Sequence, residues 1–198
     1  MNWLSLSIQA TLVLLTGYVT FWFTRRHYRY QQRHSFVERQ LEELYSPLLA
    51  LWNEIKRKRD IRSRVSTAND EEWRRLCDQT SKMHDPIEAF YRLEKKHGPV
   101  FQASIDYDNE QLKSTILPSY RQMLSIFQEK LWLAEPDTTQ YLPALTEFVD
   151  LWDRWLAESI PAAVVKNLGH SEKQLHAFYE HLERKYEELR TIVAGGKV

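Results

Sequence analysis

The sequence predicts an all-α protein with an N-terminal transmembrane helix followed by an up-down helical bundle of four to five helices. Three observations carry that expectation. No Lys, Arg, Asp or Glu occurs before Arg25, and Arg26, Arg29 and Arg33 follow it closely. Only five glycines occur in 198 residues, and no stretch alternates apolar and polar residues with a period of two for long. Downstream of residue 35, apolar residues recur three and four apart over long segments, the spacing of one helical face.

The first element is the span. Trp3 to Thr24 is rich in Leu, Val, Ile, Phe and Trp, and a hydrocarbon core about 30 Å thick needs roughly 20 such residues at about 1.5 Å each. Trp3 and Trp22 stand about 28 Å apart along a helix, the separation of two interfacial aromatic belts. A cleaved signal peptide carries its positive charge ahead of the apolar run and a small-residue cleavage site after it. Here the charge follows and no such site is present, so an uncleaved anchor is expected. Arg25, Arg26, Arg29 and Arg33 on one flank place that flank in the cytoplasm. The resulting organisation is a transmembrane anchor over 1–24, a basic juxtamembrane collar over 25–34, a cytosolic bundle over 35–193 and a disordered tail over 194–198. The site is the inner (plasma) membrane, single-pass, with the N-terminus outside. The lone cysteine, Cys77, allows no internal disulfide and suits a reducing compartment.

The span has a polar side. Ser5, Gln9, Thr16 and Thr20 fall on one helical face with Asn2 and Thr24, a candidate surface for association with a neighbouring helix. The competing reading has Ser and Thr bonding their own backbone and Gln9 lying among the outer headgroups.

Five helical segments follow. The first, from about Ser35 to Arg64, carries Phe36, Val37, Leu41, Leu44, Leu48, Leu51, Trp52 and Ile55 at helical spacing, with a bend expected at Pro47 because that residue cannot donate its backbone bond. A second is expected from Asn69, an N-cap with Glu72 three residues on, to about His97, stopped by Gly98-Pro99. A third runs from about Asp108 to Leu133. A fourth opens at Asp137-x-x-Gln140 and buries Leu145, Phe148, Val149, Trp152, Trp155 and Leu156. A fifth opens at Ser171-x-x-Gln174 and buries Leu175, Phe178, Tyr179, Leu182, Tyr186 and Leu189. Short links between long amphipathic segments predict antiparallel neighbours, with coiled-coil-like packing.

Charge is unevenly placed. The 27 basic and 27 acidic residues balance, but four of the arginines precede Ser35, leaving the remainder with a net charge of −4. An anionic leaflet therefore attracts the collar and repels the body. A second basic cluster, Lys56, Arg57, Lys58, Arg59, Arg62 and Arg64, stands about 45 Å from Arg25 along a helix, too far to serve the leaflet. It is a candidate polyanion contact, set against the plainer reading of a solvated helix end whose cations suit the dipole. The acidic body and the lack of a reader motif argue against nucleic acid. His176 shares a face with Glu172 and Glu180, but no H-E-x-x-H and no E-x-x-H pair completes a metal set. Cys77 and His84-Asp85 are two turns apart and make no nucleophilic constellation, so Cys77 is expected in the core. No phosphate loop or dinucleotide fingerprint is present. No cofactor and no enzymatic activity are expected.

The stretch Arg39-Gln40-Leu41-Glu42-Glu43-Leu44-Tyr45-Ser46-Pro47-Leu48-Leu49 resembles the juxtamembrane L-x-E-L-Y-x-P-L segment of uncharacterised bacterial proteins with one N-terminal span and a helical cytosolic domain. That resemblance implies a layout and no activity. The expected role is a membrane-tethered scaffold, adaptor or sensor that binds a protein partner in the cytosol. The alternative is an oligomerising membrane effector that perturbs the bilayer through its span, and in either case the chain could pair with itself.

Overall fold

A computed structural model describes residues 3–195, with side chains described from residue 15. Every regular element among them is helical: α1 (Trp3–Gln40), α2 (Ser46–Thr80), α3 (Pro86–Gln111), α4 (Leu117–Glu129), α5 (Pro136–Thr139), α6 (Leu142–Leu156), α7 (Ala162–Asn167) and α8 (His176–Val193). Short 3-10 turns cover Leu131–Leu133 and Glu172–Leu175.

Two prolines shape the long helices. Pro47 and Pro118 each follow a five-residue π turn, Leu41–Tyr45 and Leu112–Ile116. The Ser46 N–H donates to the Leu41 carbonyl and the Leu117 N–H to the Leu112 carbonyl, one residue farther back than in an α-helix. A proline ring collides with the carbonyl four residues before it and brings no N–H to bond there. Widening the turn accommodates both defects. The chain is thus helical without a break from residue 3 to residue 80, and again from residue 86 to residue 129. The bend expected at Pro47 takes the form of a π turn.

The core lies in the middle of this length. Leu44, Leu48, Trp52 and Ile55 of the first helix meet Tyr120, Met123 and Phe127 of α4, Leu145, Phe148 and Val149 of α6, and Phe178, Tyr179, Leu182 and Leu189 of α8. Trp52 stacks on Tyr179 with ring centroids 3.4 Å apart, and Phe127 stacks on Phe178 at 5.7 Å. Arg59 meets Glu172 at one end of the bundle, and Gln40 meets the Leu133 carbonyl at the other. The chain directions are therefore up, down, up and down, as expected for short links.

Residues 62–108 depart from the predicted layout. The expected N-cap at Asn69 is mid-helix in α2. Its side-chain amide instead donates to Ser104 Oγ of α3 at 2.9 Å. The actual break is at residues 81–85, where Asp85 caps α3 by accepting from the Glu88 N–H and Pro86 fills the first turn. Gly98-Pro99, expected as a stop, is crossed without interruption. The result is an antiparallel two-helix arm extending from the top of the bundle. Its base is marked by the Arg62–Asp108 pair at 3.6 Å. Cys77 is half-buried in this arm and not in the core, because two helices enclose too little space to bury it. Glu135, and not Asp137, occupies the N-cap position of α5, and Ser171 opens a 3-10 turn with no side-chain cap.

At the other end α1 projects below the bundle as a single stalk. Among the described residues no helix is long and apolar enough to cross a membrane. The apolar side chains of Leu4 to Leu14, on which the predicted span rests, lie outside the described residues, as do those of Trp3, Ser5 and Gln9 and residues 196–198 of the predicted tail.

Candidate functional site

The segment that links stalk to bundle is bonded through several side chains to the loop over 130–138. Gln40, buried, donates from Nε2 to the Leu133 carbonyl at 2.7 Å. Glu43 accepts from Lys130 at 2.8 Å and from Arg39 at 2.8 Å. Hydrogen bonds first from Arg39 and then from Lys130 hold its carboxyl down at about 2. Tyr45, fully buried, shares a 2.8 Å hydrogen bond with Thr138 Oγ1, and its oxygen also accepts from the Glu135 N–H. Burial pushes the Tyr45 phenol above its ordinary value. Trp132 lies beside the stalk, with Phe36 at 6.1 Å and the Arg39 guanidinium 4.6 Å from its ring centre.

The 130–138 loop thus receives the stalk and passes the contact on to α8. Thr138 Oγ1 lies 2.8 Å from His181 Nε2, and Arg184 lies 2.9 Å from His181 Nδ1. An arginine has only donors, so Nδ1 accepts and Nε2–H donates to Thr138. Burial lowers the His181 pKa and keeps this tautomer neutral. Lys185 closes the arrangement with bonds to Glu135 at 2.6 Å and Glu188 at 3.1 Å. Burial acts to lower its pKa, but those carboxylates outweigh it and hold the ammonium above its usual range. Of the groups that join stalk, loop and last helix, Gln40, Tyr45, Thr138, His181 and Lys185 are buried, where an unmade bond is costly, whereas Arg39, Lys130, Arg184 and Glu188 lie at the water-exposed rim.

The residue types that form this latch are the ones in the L-x-E-L-Y-x-P-L stretch. Leu44 and Leu48 face the core, Tyr45 and Glu43 reach the loop, and Pro47 imposes the wide turn. Thr138, His181 and Lys185 carry no signal at a distance in sequence. A polar residue on an otherwise apolar stripe, as His181 and Lys185 are in α8, is the only hint.

The other predicted positions fall in three places. Arg25, Arg26, Arg29 and Arg33 are exposed on the stalk, with Arg26 5.3 Å from the Trp22 ring centre. Thr16 and Thr20 are exposed on the same helix. Of the second basic cluster, Lys56 pairs with Glu183, Lys58 with Glu54, Arg59 with Glu172 and Arg62 with Asp108. Among its members only Arg57 and Arg64 have no acidic partner, so most of the cluster's charge is spent inside the molecule. Glu172 is also taken up by Tyr120, whose hydroxyl donates to it at 2.7 Å, while His176 pairs with Glu180 at 3.2 Å. The three do not converge. No group of three or more His, Cys, Asp or Glu among the described residues is placed to hold a metal ion. Beside Glu172 a cleft of about 200 Å³ is lined by Tyr120, Phe148, Trp152 and His170.

The arm is the second notable feature. Ile61, Val65, Val100 and Tyr107 are exposed on one flank, and Ile87, Tyr91 and Ile105 on the other. The second flank borders an open groove of about 920 Å³ floored by Trp73 and Phe101. Two helices alone cannot bury so much apolar surface. No known protein family, curated protein or solved structure matches the chain.

Proposed function

We propose that this protein is a single-span membrane scaffold, N-terminus outside, whose cytoplasmic bundle is locked to its stalk and whose arm is presented to a protein partner away from the bilayer. The arm supports this reading most directly: large apolar side chains stand exposed on an element far from the core, and such surfaces mark interaction sites. From Arg25 to Thr80 the uninterrupted helix covers about 80 Å, which sets the distance from membrane to partner. The lower stalk supports the anchor. Leu15, Tyr18, Val19, Phe21, Trp22 and Phe23 are exposed around one helix, a surface suited to lipid and its interface. Anchoring raises the local concentration of whatever the arm binds.

A photo-crosslinking amino acid at Val65 or Tyr107 tests the role of the arm in living cells. The expected result is a discrete adduct with one protein, absent when the probe replaces exposed Glu187 on the bundle. Equal, diffuse labelling at all three positions contradicts a docking role.

A further inference from the structure

We propose that the groove flank of the arm pairs with the same flank of a second copy of this chain, the two arms lying parallel and in register along α3. The parallel register rests on the reading that both copies are anchored in one membrane.

The seam is visible in α3. Ile87, Tyr91, Glu94, Gly98, Phe101, Ile105 and Asp108 follow one another at steps of four and three, the repeat that keeps one stripe facing a partner helix. Ile87 is 72%, Tyr91 65% and Ile105 54% exposed, so these three are not covered by their own chain, while Phe101 packs on Trp73 and Asp108 pairs with Arg62. Gly98 sits at its midpoint. Glycine weakens a helix interior relative to alanine, and nothing within the chain requires it here. A Cβ at residue 98 would meet only Glu94 Cγ, at an ordinary 3.6 Å. An incoming helix gives this glycine a purpose, because it lets two backbones approach closely.

Charge fits a second copy as well. Glu94 and Lys95 are both exposed and neither has an ion-pair partner in its own chain, although neighbouring Arg92 is paired with Glu88. In a parallel seam each side chain enters a hole formed by four residues of the facing helix. For Glu94 that hole is Tyr91, Glu94, Lys95 and Gly98 of the other copy, so each carboxylate meets the opposite Lys95, and these two symmetric pairs offset the repulsion between the two facing Glu94 carboxylates. The size is sufficient. A face about 32 Å long and two helices wide gives on the order of 600 Å² per copy, the lower end of stable interfaces, and confinement to one membrane favours it further. Symmetric pairing of one patch with itself is the commonest form of association.

The test is disulfide crosslinking of the full chain in native membranes, in a Cys77→Ser background. Ile87→Cys and Ile105→Cys are each expected to give a band of twice the chain mass under mild oxidation, and Lys96→Cys, on the far side of α3, is not. In the Ile105→Cys chain, adding Glu94→Lys is expected to abolish the band, and adding Lys95→Glu to that is expected to restore it. Helical content by circular dichroism guards against misfolding. Bands no stronger than that of Lys96→Cys, an adduct of any other mass, or a dimer indifferent to Glu94→Lys overturns the proposal. Fractionation of the same samples reports on the anchor separately: a soluble chain that still crosslinks in this way sinks the anchor and leaves the pairing standing.

Discussion

Tyr45 and His181 show how much depends on single polar atoms in this fold. The Tyr45 hydroxyl is the only group that connects the π turn of the stalk to both Thr138 Oγ1 and the Glu135 N–H. Tyr45→Phe keeps the ring and removes that oxygen, leaving buried Thr138 one partner short. The expected cost is about 1–3 kcal/mol of unfolding free energy, read from the denaturant midpoint with the slope unchanged. His181 makes stability depend on pH. Its pKa is lowered from 6.5 by burial, with Arg184 and Lys185 acting in the same sense and Asp137 and Glu135 opposing. The unfolded chain therefore binds the proton more readily than the folded one. The native tautomer's contribution is fully present above the unfolded pKa and is lost as pH falls below about 6.5. Unfolding midpoints measured at pH 7.5 and 5.5 are expected to differ more for the native chain than for His181→Gln. An equal or larger loss in the variant contradicts this assignment.

At the scale of elements, the contrast between bundle and arm shows what could be read from the sequence. Most of the core stripes of the first, fourth and fifth predicted segments are buried, because three-four spacing of Leu, Phe and Trp reports burial, but Phe36 is exposed on the stalk and Trp155, Leu156 and Tyr186 stand at the edge, outside the core cluster. The arm departs from the predicted layout for physical reasons. Asn69 with Glu72 has the chemistry of a cap, but the apolar and charged residues on either side continue the helix, and a mid-helix amide can bond sideways to Ser104. Gly98-Pro99 reads as a stop, yet a solvent-facing helix tolerates a missing N–H when water can satisfy the freed carbonyl. The latch was half legible: Leu44, Tyr45 and Pro47 stood out as a group, whereas Thr138, His181 and Lys185 gain their roles only through long-range packing. If the arm is a separate element, it can be removed. Because Arg62 and Asp108 already meet across its base, replacing residues 63–107 with a short glycine-serine loop is expected to leave the bundle's thermal midpoint nearly unchanged and to eliminate adducts made through the arm. A molten or aggregated product would show that the arm is part of the core.

For the whole molecule, a continuous helix from residue 3 to residue 80 joins a stalk, a bundle and an arm along one axis. Exposed side-chain hydrogen bonds from Gln31 to His27 and from Gln32 to Tyr28 accompany the helix between collar and bundle. The arm and the lower stalk belong to one continuous helix, with the π turn and its latch between them. In the proposed membrane-tethered reading, the basic collar and the acidic remainder orient that axis, since an anionic leaflet attracts one and repels the other. The most direct test of this account is where the two ends of the chain reside. With a fluorescent protein that folds only in the cytoplasm fused after Val198, the account predicts a fluorescent product in the membrane fraction that resists carbonate extraction and needs detergent for release. A fully soluble monomer, or a reporter active only outside the cytoplasm, would contradict it.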